Sequence, residues 1–183
     1  MLAYIFWHWS RPEVEAADYE RELNAFHQAL GDAGAEGFLR SASFRIAAAP
    51  WINGGGKAYA DWYLVAGSYA LDPLNEVAVS GGQREPHNRA AGWAAGGAGG
   101  LYRLRTGEPG LAGAAVESWF SKPVGMGYPE LYSLLQPLTD RPHVELWRRQ
   151  MVLGPAPEFC LVASEALEIP KQLVPIGVTR EAV

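Results

Sequence analysis

The segment WHWSRPEVEAADYERELNAFHQAL, residues 7–30, decides the fold, because a diverged copy of it stands at residues 118–138 as SWFSKPVGMGYPELYSLLQPL. The triplet SRP at residues 10–12 aligns with SKP at residues 121–123. After a short gap, tyrosine, glutamate, leucine and glutamine recur in the same order in both segments. Repeats of this kind must be identified before other patterns are interpreted, because they set the architecture.

A second match follows the first in the same order. ADWYLVAGSYALD at residues 60–72 pairs with PEFCLVASEALE at residues 157–168. One match could arise by chance, but two in one order indicate a duplicated unit. We therefore expect a first unit at residues 1–105, a joint at residues 106–113 and a shorter second unit at residues 114–183.

The composition is that of a globular chain without a nucleic-acid face. The 183 residues are 49% hydrophobic and 19% charged, and the formal net charge is −5. Such a chain can bury an ordinary core, and its acidic balance argues against a phosphate-binding surface. No apolar run approaches the ~20 residues that cross a bilayer, and the N-terminus lacks the pattern of a signal peptide. A cytoplasmic protein is the consistent interpretation.

Each unit begins with an apolar strand followed by a helix. Residues 2–9, LAYIFWHW, are aromatic and β-branched, which predicts a strand covered on both faces. Ser10 is then expected to cap the helix, with Pro12 in its first turn. Further along, the composition of residues 71–95 predicts two shorter helices, and the glycine-rich run at residues 96–100 predicts a turn before the next strand.

The element order predicts the fold class. Each unit reads strand, helix, strand, strand, helix, strand, which gives a four-stranded antiparallel sheet with helices on one face. Two such sheets bury their bare faces against each other. We therefore expect an α+β chain of two tandem ferredoxin-like βαββαβ repeats packed sheet to sheet as an intramolecular α/β barrel.

In these repeats and this topology the chain resembles the dimeric α/β-barrel superfamily. That group includes small quinone-forming monooxygenases, EthD-like and stress-responsive barrel proteins, muconolactone isomerase and, in duplicated form, the chlorite dismutases. The resemblance covers most of the chain and implies a fold. No catalytic motif of a particular family accompanies it, so it assigns no residue a role.

Two histidines are the candidate catalytic residues. His8 shares a strand face with Tyr4 and Phe6, where a neutral imidazole in an apolar pocket could transfer a proton near pH 7. The alternative for His8, which aligns with Trp119, is a core histidine bonded to a backbone carbonyl. His87 lies in an insertion of the first unit that could cover a site, or it simply starts a helix.

Four further residues are candidates for ligand binding. Arg11 lies at a strand-to-helix junction where it could meet an anion, although a solvated cation is the simpler interpretation. Trp62 and Tyr63 belong to a rich set of aromatic residues that could line a cleft. Arg89 is next to His87 in the insertion. Asp61, by contrast, is expected to be a solvated carboxylate at a strand end.

The sequence predicts no metal site and no resident cofactor. The four histidines show no paired ligand spacing, and Cys160 is a lone, apolar-flanked thiol. His27 is expected to be structural or exposed, near the end of its helix. A haem ligand remains a less favoured alternative, because some duplicated barrels of the resembling superfamily are haem enzymes.

Three functions stay open at this point. The first is binding of a small apolar or aromatic molecule in a cleft of the first unit, with cofactor-independent oxygenation or isomerisation as the reaction. The second is a non-catalytic binding or assembly module with a filled core, and the third a haem protein. The expected partners are a small apolar ligand and, if the chain is not a monomer, a second copy in a homodimer.

Overall fold

The computed structural model describes residues 1–47, 49–52, 57–111, 115–151 and 154–183. In this part of the chain, eight strands form one closed barrel with four α-helices outside it. The strands are β1 (Leu2–Ser10), β2 (Phe38–Ile46), β3 (Ala58–Val65), β4 (Ala94–Thr106), β5 (Ala115–Phe120), β6 (Glu145–Arg149), β7 (Phe159–Ala163) and β8 (Ile176–Ala182). The helices are α1 (Ala16–Ala33), α2 (Leu71–Ala78), α3 (Arg84–Trp93) and α4 (Tyr128–Thr139).

The strand order around the barrel is β1-β3-β2-β8-β5-β7-β6-β4, and β4 returns to pair with β1. Every pairing is antiparallel. The first four strands join the last four where β2 meets β8 and where β4 meets β6. The predicted α+β class and barrel are confirmed, with the sheets joined at their edges instead of merely stacked.

The barrel interior is filled by large aromatic side chains. Trp7, Trp62, Trp119 and Trp147 are all fully buried there, and Trp7 meets Trp119 edge to face at 5.5 Å. The interior also contains an ion pair between Arg180 and Glu117 at 3.1 Å. Because side chains alternate along a strand, this filling fixes which residues point outward.

The helices cover the outer face of the barrel unequally. Helices α1, α2 and α3 lie over β1 and β3 in the first half, whereas α4 alone packs on β5, β6 and β7 in the second half. The predicted pair of short helices is confirmed as α2 and α3. Only the first half therefore has three helices around one sheet face.

The glycine run at residues 96–100 is not a turn, as predicted, but part of strand β4. It pairs with β1, whose rings lie across it: a Cβ at Gly97 would overlap Phe6, and one at Gly99 would overlap Tyr4. Glycine is therefore required by the aromatic residues of the neighbouring strand. Turn composition alone could not reveal this, because the cause lies on another strand.

The predicted helix start is also wrong. Ser10 belongs to β1 and its N–H donates to the Lys57 carbonyl oxygen, while the Arg11 N–H donates to the Trp93 carbonyl oxygen. These sheet-like contacts delay the helix until Ala16, and Glu15 precedes it in an extended conformation. Pro12 consequently lies in the turn between strand and helix.

The sequence alignment of His8 with Trp119 does not match the side-chain directions. Trp119 points into the barrel, whereas His8 faces the helices. The outward residue next to Trp119 is Phe120. A shift by one residue reverses the face of every side chain in a strand, so Phe120 is the proper counterpart of His8.

Candidate functional site

A cavity of about 450 Å³ lies between the outer face of β1 and β3 and the helices α1, α2 and α3. Most of its wall is aliphatic or aromatic, with Phe6, Leu23, Phe26, Leu30, Leu71 and Leu74 among the lining residues. The polar side chains in the wall are those of Tyr4, His8, Tyr19, Asp61, Tyr63, Asn75 and His87. An apolar cavity with a few convergent polar groups is the usual form of a small-molecule site.

Asp61 is the centre of the polar groups. Its side chain is only 4% exposed, and Oδ1 lies 3.2 Å from His8 Nε2 and 3.3 Å from His27 Nε2. The Tyr63 hydroxyl donates to Oδ2 at 3.0 Å. Neither imidazole meets the angular requirement of a directed hydrogen bond to Oδ1. Charge attraction, more than hydrogen-bond direction, therefore holds the histidines to the carboxylate.

Asp61 remains ionised in this setting. Burial by itself raises the pKa of its carboxyl group, but the nearby His8 and His27 outweigh burial and hold that pKa well below its usual range. A buried carboxylate is stable only when such partners replace its water. The two histidines are therefore required to keep a negative charge in the wall of the cavity.

The second nitrogen of His8 contacts a phenol. His8 Nδ1 lies 2.7 Å from the Tyr19 hydroxyl, and both residues are about 1% exposed. Burial, with a smaller contribution from the charge of Asp61, raises the pKa of Tyr19 far above its ordinary value. Tyr19 is thus a neutral phenol at pH 7 and can donate its proton to His8.

Local periodicity explains why these residues meet. Asp61 and Tyr63 are two residues apart on β3, so both point outward. Tyr19 and His27 are eight residues apart on α1, which places them on one side of the helix. Packing α1 against β3 brings both to Asp61. Tyr19, His8 and Asp61 then form a row in which a carboxylate orients an imidazole and the imidazole accepts from a phenol, an arrangement suited to general base catalysis.

Three of the predicted site residues line the cavity. His8 and Tyr63 belong to the polar group around Asp61. His87 lies on the opposite wall, on α3, where its ring packs edge to face against Phe26 at 5.4 Å. The structure thus brings His8 and Tyr63 together but keeps His87 apart from them.

The other three predicted residues lie elsewhere. Arg11 is exposed in the turn after β1. Trp62 points into the barrel, because it alternates with Asp61 and Tyr63 along β3. Arg89 lies on the solvent side of α3, where it binds Glu22 at 2.6 Å. None of the three is among the residues described as lining the cavity.

The predictions for Asp61 and His27 need correction. Asp61 is buried, not solvated, and the His27 side chain is only 8% exposed. Tyr19 is a member of the site that the sequence analysis does not predict. The sequence nevertheless contains a pattern that could have identified these residues. Asp61 alternates with Tyr59 and Tyr63 along β3, so all three side chains point to the same, outer face, and Tyr19 lies on the same side of α1 as His27.

His8 and His27 are poorly placed to ligate haem iron, because each of their ring nitrogens lies within 3.3 Å of a protein oxygen. The third cavity histidine, His87, lies apart from them on the opposite wall. Among the described residues that line the cavity there is also no arginine or lysine to pair with haem carboxylates. Within the same described residues, no group of three or more His, Cys, Asp or Glu side chains is arranged so that it could hold a metal ion.

No helix in the described part of the chain is long and apolar enough to span a membrane. Neither a protein-family model nor a curated protein sequence matches the chain. Solved structures do match its fold. A candidate chlorite dismutase is 10% identical, with a TM-score of 0.54 over 100% of this chain and 94% of that one.

Two further solved structures are similar. An anthrone oxidase-like protein is 9% identical, with a TM-score of 0.54 over 100% of this chain and 91% of that one. A candidate monooxygenase from Lactobacillus acidophilus is 8% identical, with a TM-score of 0.52 over 100% of this chain and 93% of that one. At such low identity the likeness establishes the fold alone. The chain shares with these proteins an α+β fold, which in this chain is a closed barrel of eight antiparallel strands with helices outside it.

Proposed function

We propose that the cavity binds a small, uncharged aromatic molecule and that Tyr19, His8 and Asp61 move a proton to or from it without a cofactor. The observation that carries this proposal is the Tyr19–His8–Asp61 row at the wall of an otherwise apolar cavity. The reaction is a cofactor-independent oxygenation, or an isomerisation that begins with the same proton transfer.

The proposed chemistry starts at the Tyr19 oxygen. As Tyr19 gives its proton to His8 Nδ1, its oxygen can take an acidic proton from the substrate. Asp61 offsets the positive charge that forms on His8. Because the pKa of Tyr19 is raised so far, a free phenolate is costly, and the transfer to His8 has to occur together with the transfer from the substrate.

The carbanion or enolate formed by this step has two outcomes. In an isomerisation the proton returns to another carbon, and nothing is oxidised. In an oxygenation the substrate is oxidised by O2: a methylene carbon loses two hydrogens and gains a carbonyl oxygen, and the second oxygen atom leaves as water. Substrate electrons reduce the oxygen, so no metal or flavin is required for the balance.

The wall of the cavity favours an uncharged ligand. Asp61 is its ionised group, and among the described lining residues no arginine or lysine offers an anion a partner. Burying a carboxylate or phosphate there would be costly. Neutral phenols and fused aromatic ketones meet the apolar wall without that cost.

The structural neighbours support oxygenation over isomerisation. An anthrone oxidase-like protein and a candidate monooxygenase share the fold along nearly the whole chain. Their names concern oxidation of small molecules. At 8–9% identity this is support for a reaction class and not for a substrate.

The substitution Tyr19→Phe tests the proposal, because it removes one hydroxyl and keeps the ring. With anthrone as the probe and an oxygen electrode as the readout, we expect the wild type to consume one O2 per anthrone oxidised. Tyr19→Phe should slow turnover on the order of 10²–10⁴-fold, the usual contribution of a general acid or base, while binding measured by fluorescence stays nearly unchanged.

Tyr4→Phe is the matched control, since Tyr4 lines the same cavity without belonging to the Tyr19–His8–Asp61 row. It should retain wild-type turnover. Equal loss in both variants would contradict a specific role for Tyr19.

His8→Ala should behave like Tyr19→Phe, and His87→Ala should weaken binding. Isomerised probe without O2 uptake would favour the isomerase, and neither binding nor turnover across a panel of neutral phenols and anthrones would contradict the proposed function.

The non-catalytic alternative predicts a core filled by the protein's own side chains. The second half of the barrel meets that description, but the cavity of about 450 Å³ in the first half does not. We therefore favour the ligand-binding function. Native mass spectrometry of freshly purified protein would separate the two, because a retained small molecule adds a discrete mass.

We also propose that the chain consists of two tandem ferredoxin-like repeats at residues 1–105 and 114–183. The strand orders β4-β1-β3-β2 and β8-β5-β7-β6 support this proposal, because the first strand of each unit lies between its third and its fourth. The proposed joint at residues 106–113 includes residues 112 and 113, which lie outside the described part of the chain.

A further inference from the structure

Two histidines share the single carboxylate of Asp61. His8 Nε2 and His27 Nε2 both approach the same oxygen, at 3.2 and 3.3 Å. One carboxylate offsets one positive charge, and two buried imidazolium ions side by side would repel each other. At most one imidazole of the pair is therefore cationic.

The partners on the far side of each ring decide which one is cationic. His8 Nδ1 contacts the Tyr19 phenol, and His27 Nδ1 contacts the Ser41 hydroxyl, both at 2.7 Å. A phenol, with an ordinary pKa near 10, is a far better proton donor than an aliphatic alcohol. The Tyr19 hydroxyl is therefore the better donor to a lone pair on His8 Nδ1, and the Ser41 hydroxyl can accept an N–H from His27 Nδ1.

The surroundings of the two rings agree with this assignment. His8 is stacked between Phe6 and Tyr59, at 5.4 and 5.6 Å, and its side chain is 1% exposed. The His27 side chain is 8% exposed and stacks on the face of Tyr63 at 5.2 Å. Both rings have an aromatic face close by, so the difference between them is in exposure, and a cation is less costly where some water remains.

We propose that His27 carries the positive charge that balances Asp61 and thereby keeps His8 neutral, with its Nδ1 lone pair directed at Tyr19. His27 is then a positioning residue. It contacts no substrate, but it leaves His8 able to accept a proton. This inference rests on the proposed function, since it names the residue that maintains the base of that reaction.

Several other titratable side chains lie near the two histidines. The titratable side chains that face it from the surrounding elements are those of Tyr4 on β1, Tyr19 on α1, Tyr59 and Tyr63 on β3, and His87 on α3. Burial raises the pKa of each of these four tyrosines, so they are neutral at pH 7. The nearby carboxylates Glu20 and Glu22 bind Arg45 and Arg89, each at 2.6 Å.

Long-range ¹H–¹⁵N correlation spectra of the full chain at pH 7, without ligand, test the assignment directly. We expect both ring nitrogens of His27 to be protonated and His8 to be protonated only at Nε2. A spectrum with a doubly protonated His8 and a neutral His27, or with two neutral rings, would overturn the proposal. The wild-type spectra suffice for this decision even if no variant folds.

The substitution His27→Gln extends the test. It keeps an N–H near Asp61 but removes the charge, so His8 should take up the second proton at pH 7. The acidic limb of the pH–rate profile should move to higher pH, because a neighbouring like charge no longer opposes protonation of His8. A merely structural role for His27 would lower activity without moving the limb.

His87→Gln is the matched control, because this histidine lines the same cavity without contacting Asp61. It should leave the protonation states of His8 and His27 unchanged. The two proposals can fail separately. Spectra as expected with no turnover on any probe would refute the enzymatic function alone, whereas normal turnover with a cationic His8 would refute the role of His27 alone.

Discussion

The two barrel halves have the same strand arrangement, but the side chains on their outer faces differ in polarity. In the first half, His8 lies opposite Tyr59 on the next strand, and the rings stack at 5.6 Å. In the second half, Phe120 lies opposite Phe159, and the rings stack at 5.5 Å. One face therefore presents an imidazole and a phenol where the other presents two phenyl rings.

The helices above the two faces differ in the same way. Two fully buried leucines of helix α4, Leu131 and Leu135, pack against the phenyl pair and fill the space between helix and sheet. Helix α1 instead directs Tyr19 and His27 at the polar groups of the sheet. The apolar phenyl pair permits close packing of the helix. The buried carboxylate of Asp61 instead requires polar partners, and the cavity lies beside them.

The largest expected effect concerns the charge at the centre of the first face. Asp61→Asn removes the buried negative charge that the two histidines face, and we expect a loss of about 3–5 kcal/mol in the free energy of unfolding. Urea unfolding at pH 7 measures it. The matched change Glu158→Gln on the second half breaks a partly exposed pair with Arg148 and should cost at most about 1 kcal/mol. Similar losses in both variants would remove the distinction between the two faces.

An intermediate effect comes from adding volume to each face. Ala163→Leu overfills the packed second face and should cost about 1–3 kcal/mol. Ala90→Leu extends into the cavity of the first face, so it should cost less while blocking ligand binding. Thermal unfolding and ligand titration on both variants check the two expectations. A larger loss for Ala90→Leu would mean that the cavity closes in solution.

The smallest effect is the pH dependence due to Asp61. Its pKa is lower in the folded chain than in the unfolded one, so its contribution is complete above the unfolded value of about 3.9 and is lost as the pH falls through the folded value. The stability difference between wild type and Asp61→Asn should therefore shrink below about pH 4. A difference that stays constant down to pH 2 would show that the charge of Asp61 does not stabilise the fold.

Much of this molecule could be predicted from local patterns. The apolar run at residues 2–9 and the helical period of residues 16–33 reflect contacts between near neighbours, and the repeated order of elements predicted the barrel. His8 and Tyr63 could be selected because their strand parity places them on an outward face. Trp62 could have been excluded by the same parity, since it alternates with Tyr63.

What the amino-acid sequence determined by itself was the order of strands and helices, because hydrophobic periodicity and turn chemistry act within a few residues. Only the tertiary structure decided that Asp61 is buried, that Tyr19 and His27 are its neighbours, and that the glycine-rich residues 96–100 form part of a strand. These facts depend on side chains that come together from distant segments when α1 and β4 pack against β1 and β3. Burial and charge pairing are properties of that packing and not of any one segment.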